Sequence, residues 1–186
     1  MPTPRDMSVH IGLVRAVNLP GHNKLTMADL RALIERLGFQ DVRTLLQSGN
    51  VVFRSGGGTT PQLEQALEKA AQERLRLKTD FFVRTTGDWR DVITNNPFPK
   101  EAERDPGHLL VMFLKDAPDR AQVTALQKAI KGREVVRANG RQAYFVYPDG
   151  VGRSKLTSAL IEKMLGTRGT ARNWNTVLKL GALSGT

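Results

Sequence analysis

The chain has 186 residues, 40% of them hydrophobic, a net charge of +10 and no cysteine. That length and apolar content suit one large cored domain or two small ones, and the missing cysteine excludes a disulfide framework, a thiol nucleophile, an iron–sulfur cluster and a Cys-ligated zinc. No apolar run approaches the roughly 18–20 residues that span a bilayer, and the first seven residues lack a signal-peptide core, so a cytoplasmic protein without a membrane partner is expected.

Val9, Ile11 and Leu13 alternate with small or polar residues and predict a first strand. A loop rich in Pro, Gly and Asn follows (residues 18–24), and Thr26 with Asp29 forms a capping-box-like helix start. Met27, Leu30, Leu33, Ile34 and Leu37 make the apolar stripe of that helix, with Gly38 suited to the position just past its end. Strands are expected over Val42–Gln47 and Val51–Arg54. Gly49-Asn50 between them reads as a two-residue turn that pairs Leu46 with Phe53. Thr60-Pro61 opens a second helix with Pro at its first position, burying Leu63, Leu67, Ala70 and Ala71. A strand over Thr79–Thr85 completes a β-α-β-β-α-β order.

The order then repeats. His108–Leu114 predicts a strand, and Pro118 starts a helix carrying Val123, Leu126 and Ile130. Asn139-Gly140 between Glu134–Arg137 and Arg141–Tyr147 is the strongest hairpin signal in the chain. Ser154 is expected to cap a helix with Leu156, Leu160, Met164 and Leu165 inward and Gly166 at its end. Gly169–Arg172 suits a short last strand, and Trp174, Val177 and Leu178 begin a terminal helix. The fold class predicted is α+β, two tandem ferredoxin-like (βαββαβ) subdomains with antiparallel sheets plus a C-terminal helix. The expected division is residues 1–86, a linker over 87–107 containing one short helix, and residues 108–186. A four-stranded sheet with two helices leaves one face uncovered, so the two units are expected to bury surface against each other.

Four segments together resemble one family. They are Leu13-Val14-Arg15-Ala16-Val17-Asn18 with Gly21 and Lys24, then Gln47-Ser48-Gly49-Asn50-Val51-Val52-Phe53, Ser154-Lys155-Leu156-Thr157, and Thr170-Ala171-Arg172-Asn173-Trp174-Asn175-Thr176. The order and wording of these motifs are similar to those of the domain-of-unknown-function family 1697. That resemblance implies two ferredoxin-like subdomains and carries no established activity. Where many members have a Gly pair in the first loop, this chain has Pro20-Gly21, which fixes one φ.

The charge is uneven. Residues 1–95 carry 13 basic against 10 acidic side chains, residues 96–186 carry 15 against 8, and Arg120–Lys179 alone carries 12 against 3. Such a concentration is the footprint of a polyanion partner, or simply a solvated basic surface. Arg15, Asn18 and Lys24 flank a helix start where backbone N–H groups favour anions, although no phosphate-loop motif occurs there. Gln47, Ser48 and Asn50 sit at the first hairpin, as plain turn residues or as uncharged polar contacts to a ligand. Gly150-Val151-Gly152-Arg153-Ser154-Lys155 is the best anion candidate. Two glycines permit close approach, Arg153 and Lys155 bring charge, and Ser154 marks the expected helix start. Arg172, Asn173 and Asn175 surround the terminal helix start, where Asn173 suits an N-cap and Trp174 a core anchor.

No catalytic, metal or cofactor site is expected. His10, His22 and His108 lie at no metal-ligand spacing, and no G-x-S-x-G turn is present. Arg141–Tyr147 only partly matches an RNA-recognition strand, having Gln142 where that motif needs Gly. The leading expectation is a non-enzymatic binding protein for nucleic acid or a phosphorylated molecule, using the basic C-terminal half. The alternatives are an enzyme acting on a small polar or phosphorylated molecule between the subdomains, and a homo-oligomerising module built on exposed sheet edges.

Overall fold

The apolar alternation of residues 8–14 forms β1 (Ser8–Val14), at the centre of an antiparallel sheet with β2 (Gln40–Leu45), β3 (Asn50–Ser55) and β4 (Phe81–Thr85) in the order β2-β3-β1-β4. The computed structural model describes residue 3 and residues 6–15, 25–45 and 49–186. It divides into two units, Met1–Asp91 with Leu180–Thr186, and Val92–Lys179.

In the first unit, α1 (Met27–Arg36) begins where the Thr26 hydroxyl accepts the Asp29 N–H at 3.0 Å, and Gly38 ends it at φ +84°. Helix α2 (Thr60–Leu75) is capped one residue earlier than the sequence suggests. The Thr59 hydroxyl accepts from Gln62 N–H, and the Gln62 side chain accepts the Thr59 N–H at 2.9 Å, which moves Pro61 to the second helical position. Leu30, Leu33 and Ile34 of α1 and Leu63, Leu67 and Ala70 of α2 pack with Val51, Phe53, Phe81 and Val83, alternate residues on one face of the sheet.

The first hairpin departs from expectation. The β2–β3 ladder closes at Leu45–Asn50, so the connection is residues 46–49 with Gly49 at φ +78°, and Asn50 opens the strand. Phe53 pairs with His10 of β1, and the expected Leu46 partner lies outside the described residues. A register shift between Gln40 and Arg43, with Asp41 at φ +48°, marks a bulge that local patterning does not reveal.

Residues 87–107, expected to hold one helix, carry two. These are α3 (Thr86–Thr94) and α4 (Pro99–Arg104), with a 3-10 turn at Pro106–His108. Pro97 and Pro99 look like breakers, yet Pro99 stands at the first turn of α4, where its missing N–H costs nothing. The second sheet joins β5 (Leu109–Leu114), β6 (Val135–Asn139), β7 (Gln142–Val146) and β8 (Gly169–Asn173) in the order β6-β7-β5-β8, the same as the first.

Helix α5 (Arg120–Ala129) starts from an Asp119–Gln122 capping box, one residue beyond Pro118. Helix α6 (Ser158–Leu165) packs against it. Leu126, Ile161 and Leu165 meet Met112, Leu114, Val136, Ala143 and Phe145 in the core. On the opposite face of the sheet the buried Tyr144 donates its hydroxyl to the Val92 carbonyl at 2.7 Å. The β6–β7 turn centres on Gly140 and Arg141, since Asn139 pairs with Gln142. The positive φ of Gly140 at +62° thus falls on the first turn residue rather than the second. Helix α7 (Trp174–Ser184) closes the chain. Among the described residues, no helix is long and apolar enough to cross a membrane.

A cationic cleft as candidate functional site

In the second sheet, the start of β6, the end of β7, the start of β5 and the end of β8 all lie at one end. The segments that enter or leave there are residues 106–108, 130–134, 147–157 and 174–176. On the β6–β7 side they enclose a cleft of about 460 Å³ whose lining includes Lys131, Gly132, Glu134, Asp149, Arg153 and Lys155.

Two hydrogen-bonded pairs shape it. The Ser154 hydroxyl donates to Glu134 Oε1 at 2.5 Å and accepts the Leu156 N–H at 3.0 Å. This corrects the expected role of Ser154. It follows a 3-10 turn at Val151–Arg153, and the cap of α6 is Thr157, whose hydroxyl accepts from Leu160 N–H at 3.2 Å. Glu134, distant in sequence, draws the Ser154 side chain away, and the 150–155 segment is no helix start. The anion-binding argument therefore passes from a helix terminus to the side chains themselves.

The second pair is Arg133 with Asp149, both exposed and joined by two bonds, one of them Nε to Oδ2 at 3.1 Å. The hydrogen bond from Arg133, with the charges of Arg133, Arg153 and His108, holds the Asp149 carboxyl below its ordinary value. Burial, and next the charge of Glu134, pushes the nearby Tyr147 hydroxyl up to about 12. Among the described residues, neither Lys131 nor Lys155 forms an ion pair.

Gln127 fastens α5 to this corner, its amide accepting from Val136 N–H at 2.9 Å and donating to the Glu134 carbonyl at 3.4 Å. Along the exposed side of α5, Arg120, Thr124 and Lys128 recur every fourth residue, and the helix contains no acidic residue. Between Arg120 and Lys179, ten of the twelve basic side chains are exposed.

The other predicted residues are dispersed. Asn173 caps α7, its Oδ1 accepting from Thr176 N–H at 3.0 Å, and Asn175 is exposed on the first turn. They sit at the β8 corner of the same sheet end, three strand spacings or about 14 Å from the cleft side. Arg172 is no surface anion contact. It is 8% exposed, donates to Thr170 Oγ1 at 2.8 Å and the Ala171 carbonyl at 2.9 Å, and is pushed down to about 10 by burial.

In the first unit Arg15 pairs with Asp80 at 3.3 Å, while Asn50 is fully buried and donates to the Leu45 carbonyl at 3.0 Å. Asn50 is thus a strand-end clamp and not an exposed turn tip. Asn18, Lys24, Gln47 and Ser48 lie outside the described residues. Sequence reasoning passed over Lys131, Glu134 and Asp149. The run Lys131-Gly132-Arg133-Glu134, directly after a helix without acidic residues, is the signal that could have found them. Among the described residues, no group of three or more His, Asp or Glu side chains is placed to hold a metal ion.

Comparison with known proteins agrees with this architecture. A solved structure of a conserved bacterial protein from Streptococcus pneumoniae is similar over 96% of this chain and 99% of that one, with a TM-score of 0.74 and 25% identity. No curated protein matches. The family model described as "Protein of unknown function (DUF1697)" matches residues 7–144, most of the chain. The chain therefore belongs to the DUF1697 family and carries its fold as two four-stranded antiparallel sheets with helices.

Proposed function

We propose that this protein is a non-enzymatic binding protein for a phosphate-rich polyanion, with single-stranded nucleic acid as the extended form of that ligand. The observation that carries the reading is the track of exposed cations on the second unit. Arg120 and Lys128 stand eight residues apart on α5, about 12 Å along the helix axis. Lys131, Arg153 and Lys155 continue the positive charge at the cleft. Only Glu134, Asp149 and Glu162 oppose it between Arg120 and Lys179. Asp149 is matched by Arg133, and Glu134 accepts the Ser154 hydroxyl. Cations left without carboxylates and spaced along a surface neutralise successive phosphates, and releasing the condensed counterions drives association.

The test is fluorescence anisotropy of a short labelled single-stranded oligonucleotide titrated with the full chain at low salt. Saturable binding is expected, weakened at least about tenfold by Arg153→Ala with Lys155→Ala, a loss of roughly 1.4 kcal/mol. No binding at low salt, or binding indifferent to both substitutions, overturns the reading.

A further inference from the structure

The loop Gly150–Lys155 borders two cavities. Beside the cationic cleft lies a second chamber of about 170 Å³, and Ser154 and Leu156 line both. The inner chamber is walled mainly by Leu110, Met112, Phe145, Tyr147, Ile161 and Ala171, with the polar Thr157 and Ser158 also in its lining. The Tyr147 hydroxyl already donates to the Leu156 carbonyl at 3.2 Å, so the ring meets the chamber without a competing polar demand. At the lip stands Val151, 46% exposed. It is flanked by Gly150, at φ +84°, and Gly152. A large apolar side chain left in water beside an apolar hollow gains by covering an apolar ligand.

We propose that these adjoining cavities bind a small anion carrying a single aromatic ring, the ring in the inner chamber and the anionic group among Lys131, Arg153 and Lys155. Size sets the first half of that class. A cavity on the order of 150 Å³ lined by aliphatic and aromatic side chains accepts benzene, and the chamber here is about 170 Å³, so one ring fits and a fused system does not. Charge sets the second half. Among the described residues Lys131 and Lys155 lack ion pairs, and the Asp149 carboxylate beside Arg153 is held by Arg133. The anionic half rests on the same cleft cations as the polyanion reading, whereas the inner chamber plays no part in it, so the ring's contribution is tested on its own.

Phenyl phosphate, inorganic phosphate and benzyl alcohol are titrated into the full chain by calorimetry, with the Met112 methyl followed by NMR. Phenyl phosphate is expected to bind at least about tenfold tighter than either other probe, roughly 1.4 kcal/mol, with a ring-current shift at Met112. Ala171→Leu, which fills the chamber, should remove that advantage and leave oligonucleotide binding intact, whereas Arg153→Ala with Lys155→Ala should weaken both. Phenyl phosphate binding no tighter than phosphate, or an unmoved Met112 methyl, overturns the inference even if the oligonucleotide still binds. If Ala171→Leu does not fold, the Met112 shift in the unaltered protein decides.

Discussion

Replacing Gly132 with alanine tests how the cleft is held together. A Cβ at this position would lie 2.4 Å from Glu134 Oε2 and 3.1 Å from its Cδ and Oε1, so the carboxylate must swing aside. Glu134 Oε1 is the acceptor of the Ser154 hydroxyl at 2.5 Å. A hydrogen bond to a charged group is worth about 1.5–3 kcal/mol, and the half-exposed setting puts this one near the lower end. Gly132 does not sit at positive φ, so alanine also stabilises by about 0.4–1 kcal/mol through the unfolded chain. The two effects oppose, and the bond wins by about 0.5–1 kcal/mol. In a Ser154→Ala background the bond is already gone and only the chain-entropy effect remains. Gly132→Ala should then stabilise. Urea denaturation of the four proteins of this cycle measures it, and in a thermal scan the single variant should melt a few degrees lower, since about 1 kcal/mol moves a chain of this size by roughly 2–4 °C. If Gly132→Ala shifts stability in the same direction in both backgrounds, the Glu134–Ser154 bond does not govern this corner.

Two further predictions concern the framework. Leu126 is fully buried between α5 and the second sheet, and Leu126→Ala should cost about 2–5 kcal/mol by denaturant unfolding, the cost of lost burial plus the cavity left behind. His10 is 5% exposed, donates from Nδ1 to the Ser8 carbonyl at 3.1 Å, and stacks on Phe53 at 5.7 Å. Burial, only partly offset by the Ser8 carbonyl and the charge of Asp88, lowers its pKa below 6.5. The unfolded chain therefore takes up a proton first as pH falls. Stability of the first unit should be level above about 6.5 and decline below it until the folded-state pKa is passed. An NMR titration should find the His10 ring less than half protonated at pH 6.5, and a ring half protonated or more there contradicts the assignment.

Element order was legible because each strand and helix states its period locally. Leu30, Leu33 and Ile34 repeat at helical spacing, and Val51 with Phe53 at strand spacing. What failed depended on partners distant in sequence. Ser154 and Thr157 are both competent caps, and the choice between them is made by Glu134, twenty residues away. Asn50 reads as a turn residue until the ladder with Leu45 buries it. Arg172 counts as surface charge in any composition argument, yet its place in β8 buries it. The candidate loop at Gly150–Lys155 was visible from its glycines and charges, but the cleft was not. Its other wall comes from residues 131–134, brought alongside only by the β6–β7 pairing.

The central claim is electrostatic, and the salt dependence of oligonucleotide binding tests it most directly. For single strands the slope of log K against log salt is about −0.7 per phosphate neutralised. Arg120, Lys128, Lys131, Arg153 and Lys155 acting together give a slope near −3.5, falling to about −1.4 when Lys131, Arg153 and Lys155 are replaced by alanine. A slope near zero in the unaltered protein, or one the triple variant leaves unchanged, contradicts the account.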